Sequence, residues 1–163
     1  MPDKHYDMRY YVIAGEPSGD LHGGKLMQQI AANDPEAEFR CTGGDTMAQI
    51  AGPGRLKYHY KEMSFFGFVQ VALNLRTIFS QIDEVKSDIA SFNPDVVILI
   101  DYPAFNLRIA KWAKSRGIKV YYYIAPKVWA WKERRVKKLR RYVDRLYTIF
   151  PFETEYFRRH GIE

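Results

Sequence analysis

Val96-Val97-Ile98-Leu99-Ile100 is a run of five aliphatic residues with no polar position on either parity. A strand with one wet face alternates apolar and polar residues, so an unbroken run reads as a strand covered on both faces, inside a parallel sheet. Further strand-like runs fall at 9–14, 38–42, 57–60, 119–124 and 146–150, and the apolar one extends to 101. Helix-like stretches lie between or beyond them at 18–32, 46–51, 69–92, 104–116, 131–143 and 152–160. Strand and helix alternate with no hairpin signal between consecutive strands, which predicts an α/β fold built on a doubly wound, mostly parallel sheet. A chain of 163 residues suits one such domain, and no repeat or linker divides it.

Sheets of this kind bind ligands at the carboxyl ends of their strands, next to the point where the strand order reverses. The loops after Ala14 and after Asp101 are therefore expected to face each other across a crevice. The first, GEPSGDLHGGK at 15–25, holds the spacing G-x-x-x-x-G-K but has Leu26 where a phosphate loop needs the hydroxyl that holds magnesium. A helix starting at Ser18 as N-cap, with Asp20 in its first turn, accounts for the stretch better. Gly23 and Gly24 then lie inside the helix at about 1 kcal/mol each relative to alanine, so the backbone passes close to a strand or a ligand there. Lys25 points away from the crevice. Glu16, Ser18 and Gly19 are the candidate ligand-facing residues, Glu16 being suited to a hydroxyl; the alternative is an ordinary βα turn with an exposed glutamate.

The second loop is IDYPAFN, 100–106. Asp101 closes the apolar strand and Pro103 opens a helix, holding a carboxylate at the mouth of the sheet, where it can act as general base toward a sugar hydroxyl or orient it. The alternative is a cap on the following helix. Asn106 is placed to support this loop and is counted among the substrate-binding candidates.

Charge is concentrated rather than spread. Residues 132–145 carry eight Lys or Arg against Glu133 and Asp144, a net of six, equal to the +6 of the whole chain. Such a helix favours anionic lipid, nucleic acid or phosphorylated ligands; it also reads as a solvated face. SFFGFVQVALNL, 64–75, is too apolar for a surface loop and too short to span a bilayer, leaving an interfacial patch or buried core. Trp129 and Trp131 stack on a ligand or pack between helix and sheet. A single cysteine, Cys41, rules out an internal disulfide, fits a cytosolic protein and reads as a small buried hydrophobe. The charged N-terminus MPDKHYDMR resembles neither a signal peptide nor a spanning helix. The four histidines show no ligand spacing, and no metal site is readable.

Taken in order, GEPSGDLHG, GGDTMAQIAG, EMSFFGFVQVALNL, PDVVILIDYPAFN, VWAWKERRVKKL and FPFETEYFRRHG closely resemble the N-terminal half of the lipid-A-disaccharide synthase family. The resemblance implies an inverting glycosyltransferase of the GT-B architecture, two Rossmann-like domains across a cleft, joining UDP-2,3-diacylglucosamine to 2,3-diacylglucosamine 1-phosphate with release of UDP. It implies no metal and no cofactor. Residues 1–163 would form the acceptor-side domain, with the UDP-binding C-terminal domain absent and the chain inactive alone. By position, Asp101 resembles the family's essential aspartate and Glu16 the acid of its GE-x-SGD loop, while its membrane-docking patch maps onto Phe65, Phe66, Phe68, Val69 and Leu73. The implied setting is cytoplasmic, peripheral on the anionic inner face of the bacterial inner membrane. Three positions depart from the family: Ala125 where serine is frequent, Pro17 where alanine is, and Ala104 where many members carry a second acid. The rival reading is a basic Rossmann-like module for nucleic acid, supported by charge alone.

Overall fold

The structure, a computed structural model, describes residues 7–63, 68–126 and 133–163, without the side chains of Phe68 and Glu133. Its strands are β1 (Arg9–Ala14), β2 (Glu38–Gly43), β3 (Leu56–His59), β4 (Val96–Ile100), β5 (Lys119–Tyr123) and β6 (Arg145–Tyr147). They form one parallel sheet in the order β3-β2-β1-β4-β5-β6. The order reverses between β1 and β4, which pair centrally in the register Ala14 to Ile100. The helices are α1 (Pro17–Asn33), α2 (Asp45–Ala51), α3 (Tyr60–Met63), α4 (Phe68–Leu73), α5 (Leu75–Phe92), α6 (Pro103–Ser115), α7 (Glu133–Tyr142) and α8 (Pro151–Arg159).

The sheet is covered on both faces, as the aliphatic run of β4 predicts. Val12, Ala14, Val96, Ile98 and Ile100 point to one side, where Met27 of α1 and Met47 of α2 meet them. Tyr11, Ile13, Val97, Leu99 and Tyr122 point to the other, under Ile82, Val85 and Ile89 of α5, Ile109 and Ala113 of α6, and Leu139 of α7. Cys41 is buried in the first of these layers, and burial pushes its thiol up to about 12, the behaviour of a packed hydrophobe rather than a nucleophile.

Helix α1 departs from the sequence expectation in its cap. Glu16, extended at φ −154° and ψ 166°, is the N-cap residue and Pro17 takes the first helical position, so Ser18 lies inside the helix. The apolar Leu21 is 49% exposed; the inner face is Gly19, Asp20, Gly23, Gly24 and Met27. The close approach inferred from Gly23 and Gly24 is real, and its partners are protein. A Cβ at Gly23 would overlap Met47 and Ile100, and one at Gly24 would overlap Thr46. Because 19–25 is helical throughout, its glycine-lysine spacing forms no phosphate loop.

The long helix expected over 69–92 is two helices. The break falls at Asn74, whose φ of −112° and ψ of 15° leave the helical region, while its side-chain amide and its backbone N–H both donate to the Gln70 carbonyl, at 2.8 and 3.0 Å. The last strand stops at Tyr147 rather than 150, since β6 is the sheet edge; Ile149 and Phe150 lie beyond it, exposed. Helix α7 buries Val136 and Leu139 while Arg134, Lys137, Lys138, Arg140 and Arg141 stay exposed, as the periodicity predicts. Trp129 and Trp131 lie outside the described residues. Among the described residues no helix is long and apolar enough to cross a membrane.

Candidate active site

The two loops expected to meet do meet. Gly15, straight after β1, lies against the ring of Tyr102, two residues past β4, so closely that a Cβ at Gly15 would overlap the aromatic carbons. Tyr102 is held there by stacking on Phe105, with ring centroids 5.5 Å apart, and by donating its hydroxyl proton to the Met63 carbonyl at 3.2 Å. Glu16 and Asp101 flank this contact in sequence, one on each loop.

The backbone that carries Asp101 is unusual. Asp101 has φ +44° and Tyr102 φ +46°, two successive non-glycine residues in the left-handed region, and Ile124 at the end of β5 has φ +64°. Each costs on the order of 1–3 kcal/mol, and such residues persist only where surrounding bonds over-determine them. Those bonds are present. The Asn106 amide donates to the Asp101 carbonyl at 2.8 Å and to the Ile100 carbonyl at 3.2 Å, and the Tyr122 hydroxyl also donates to the Asp101 carbonyl. Burial, then the charge of Asp101, push the Tyr122 hydroxyl far above its ordinary range, so Tyr122 remains a donor. The turn ends β4 one residue earlier than expected and makes Tyr102, not Asp101, the N-cap position of α6. Asp101 is half-buried and stands one residue before the N-cap position that the capping alternative would give it.

Three further candidates each have a protein partner. Asn106 is fully buried and commits its amide to the loop, holding the backbone of Asp101 as its placement at the loop predicts. Gly19 packs against Ala14, where a Cβ would sit 3.1 Å from the Ala14 Cβ; its small size serves helix-to-sheet contact, not an open cleft. Ser18 and Glu16 are both exposed at the start of α1, and the Ser18 hydroxyl donates to Glu16 Oε1 at 2.8 Å. Asp20 lies in the first turn of α1, as expected, and its carboxylate also reaches the neighbouring helix. Its carboxylate accepts the N–H groups of Gly44 at 2.7 Å, Met47 at 3.0 Å and Thr46 at 3.1 Å, capping α2 from α1.

Sequence reasoning missed Tyr102 and Tyr122. Period-2 alternation in KVYYY marks Tyr122 as inward-facing, but nothing local says that its hydroxyl reaches the Asp101 turn. Of the apolar patch, Phe65 and Phe66 lie outside the described residues and the side chain of Phe68 is not described; Val69 and Leu73 are 71% and 78% exposed on α4. Among the described residues no cluster of His, Cys, Asp and Glu is placed to hold a metal.

The fold matches that of UDP-GlcNAc 2-epimerases. The Methanocaldococcus jannaschii enzyme, solved with UDP-GlcNAc and UDP, superposes with TM-score 0.65 at 16% identity over 96% of this chain and 44% of that one. The Neisseria meningitidis enzyme bound to UDP-GlcNAc gives 0.64 at 10% identity over the same shares. At those identities the likeness is one of fold. Sequence relatives are nearer: the lipid-A-disaccharide synthases of Geobacter metallireducens and Geobacter sulfurreducens are each 42% identical across 154 residues, 94% of this chain and 40% of their own length. That of Myxococcus xanthus is 38% identical over 94% of this chain and 40% of its own. The chain thus spans about 40% of the length of these relatives. With residues 10–163 matching the family described as lipid-A-disaccharide synthetase, the chain belongs to that family.

Proposed function

We propose that this chain is the N-terminal, acceptor-side domain of an inverting, UDP-sugar-dependent glycosyltransferase. The enzyme joins UDP-2,3-diacylglucosamine to 2,3-diacylglucosamine 1-phosphate and releases UDP, with a second Rossmann-like domain supplying most of the UDP contacts. The observation that carries the mechanism is the Asp101 turn: a half-buried carboxylate at the strand-order reversal, on a strained backbone whose carbonyl is tied down by Asn106 and Tyr122. Rigid placement of a base is what proton abstraction needs, since a positioned carboxylate contributes only while it stays in hydrogen-bond reach of the reacting hydroxyl.

In the reaction the acceptor hydroxyl oxygen forms a bond to the anomeric carbon of the donor as the bond from that carbon to the UDP phosphate oxygen breaks. The hydroxyl proton passes to Asp101. Glu16, steadied by Ser18, orients sugar hydroxyls from the opposite loop. The enzyme works from the cytoplasmic side as a peripheral protein, with the exposed Val69 and Leu73 of α4 entering the anionic bilayer surface.

The test is full-length protein carrying Asp101→Asn. Its melting curve should match wild type while kcat falls by about 10²–10⁴, the usual weight of a general base. Turnover within a few-fold of wild type would remove Asp101 from that role.

A further inference from the structure

We infer that the trough between α5 and α6, bounded by α7, takes an acyl chain of the phosphorylated acceptor, and that Arg108, Lys111, Arg135 and Lys138 bind its phosphate. This rests on the glycosyltransferase reading above and names where the acceptor lies.

The trough encloses about 520 Å³, within the span of small-molecule pockets. Its walls are aliphatic and aromatic: Leu75, Ile78, Phe79 and Ile82 from α5 face Phe105 and Leu107 from α6. Tyr102 and Pro103, the residues that directly follow Asp101, also line it. Val71 and Leu75 line it as well, 38% and 47% exposed and close in sequence to the exposed Val69 and Leu73. An amphiphile with its sugar at Asp101 therefore finds an apolar path leading away from the reacting centre. Free phosphate would leave that path unused.

The charged lining is of one sign. Arg108 and Lys111 sit three residues apart on α6, Arg135 and Lys138 three apart on α7, so each pair shares a helix face. Among the described residues no acidic side chain lines the trough, and none of the four cations belongs to an ion pair. The Arg108 guanidinium lies 4.9 Å over the Phe79 ring, which pre-orients it across the apolar wall. Arg135 is near enough to act electrostatically on the Tyr122 hydroxyl, and that hydroxyl is bonded to the Asp101 carbonyl. The cations thus line the same trough as Tyr102 and Pro103, the residues next to the base, which is where an acylated sugar phosphate needs them. An ordinary membrane phospholipid has no need of that neighbourhood.

The experiment measures binding of 2,3-diacylglucosamine 1-phosphate to full-length protein in detergent micelles without donor, beside its dephosphorylated and its deacylated analogues. For wild type, removing the phosphate or the acyl chains should each weaken binding by about tenfold or more. Arg108→Gln with Lys138→Gln should weaken the phosphorylated ligand by a similar factor and leave the dephosphorylated one unchanged. Lys137→Gln with Arg140→Gln, on the other side of α7, should change neither. Equal affinity of wild type for all three ligands overturns the inference without any variant. Unaltered micellar binding by the Arg108/Lys138 variant, with lost attachment to phosphatidylglycerol vesicles, also overturns it and assigns the cations to bulk lipid. Binding as expected without sugar transfer from the UDP donor would instead count against the glycosyltransferase reading alone.

Discussion

Asp20 and Gly44 stand 24 residues apart in sequence, and the carboxylate of the first accepts the backbone N–H of the second at 2.7 Å. The same carboxylate takes the amides of Thr46 and Met47, so a buried anion closes the start of α2 that Gly44, without a side chain, cannot cap itself. A Cβ at Gly44 would lie 2.7 Å from the Asp20 carboxyl carbon, which fits glycine at this position. Asp20→Ala strands these amides in a buried place and is expected to cost about 2–4 kcal/mol, more than a surface cap because the amides lose access to water. Asp20→Asn keeps one acceptor oxygen and should lose less. Denaturant unfolding checks the order; equal stability of Asp20→Ala and wild type would mean that water replaces the carboxylate at no cost.

Gly15 and Tyr102 are coupled by the overlap that a Cβ at Gly15 would create with the ring. Gly15→Ala must displace Tyr102 and loosen both its bond to the Met63 carbonyl and its stacking on Phe105, an overpacking cost of about 1–3 kcal/mol. Tyr102→Ala removes the obstruction at its own expense. The double variant should therefore be more stable than the sum of the two single losses, and a double-mutant cycle measures that coupling. Additive losses would place the strain elsewhere in the turn.

Arg40, Asp88 and Tyr11 tie β1 and β2 to α5: the Arg40 guanidinium donates to both Asp88 oxygens at 2.6 and 2.7 Å, and the Tyr11 hydroxyl donates at 2.7 Å. Burial alone would push the Asp88 carboxyl up, but these donors and the Arg40 charge outweigh it and hold the group below its ordinary 3.8. A carboxyl depressed in the folded state lends stability that is complete above the unfolded value and is lost as pH falls through the folded one. Unfolding free energy should therefore hold above about pH 5 and decline below about pH 4. Asp88→Asn should flatten part of that decline and lower stability at neutral pH; an acid limb identical to wild type would assign the effect to other carboxylates.

The parallel sheet was legible because a strand buried on both faces leaves no polar register, and β4 has none. The positions of Glu16 and Asp101 followed from the same topology, since strand ends at an order reversal are fixed once strand order is. What stayed hidden was set by contacts distant in sequence. Asp20 offers an acceptor that satisfies its own helix start as readily on paper as the start of α2. Asn106 reads as a support of its loop, but which groups it holds, the carbonyls of Ile100 and Asp101, depends on the left-handed turn of Asp101 and Tyr102. The break at Asn74 is a local change of backbone angle that apolar periodicity does not register.

Val69 and Leu73 lie one helical turn apart on α4, 71% and 78% exposed, so both present apolar surface on one side of a short helix. Burying a leucine side chain fully is worth about 1.5–3 kcal/mol, whether the cover is protein or lipid. In solution these two contribute little packing, and Val69→Ser with Leu73→Ser should shift the melting temperature by no more than a degree or two, since surface changes stay within about 0.5 kcal/mol. At a bilayer the same change should remove about 2–4 kcal/mol of insertion and lower partitioning into anionic vesicles by more than tenfold. High salt should weaken the basic contribution from α7 but leave this apolar part in place, because screening acts on charges alone. Vesicle sedimentation of wild type and the double variant at low and high salt separates the two contributions. Unchanged partitioning of the variant at high salt would show that α4 does not enter the bilayer.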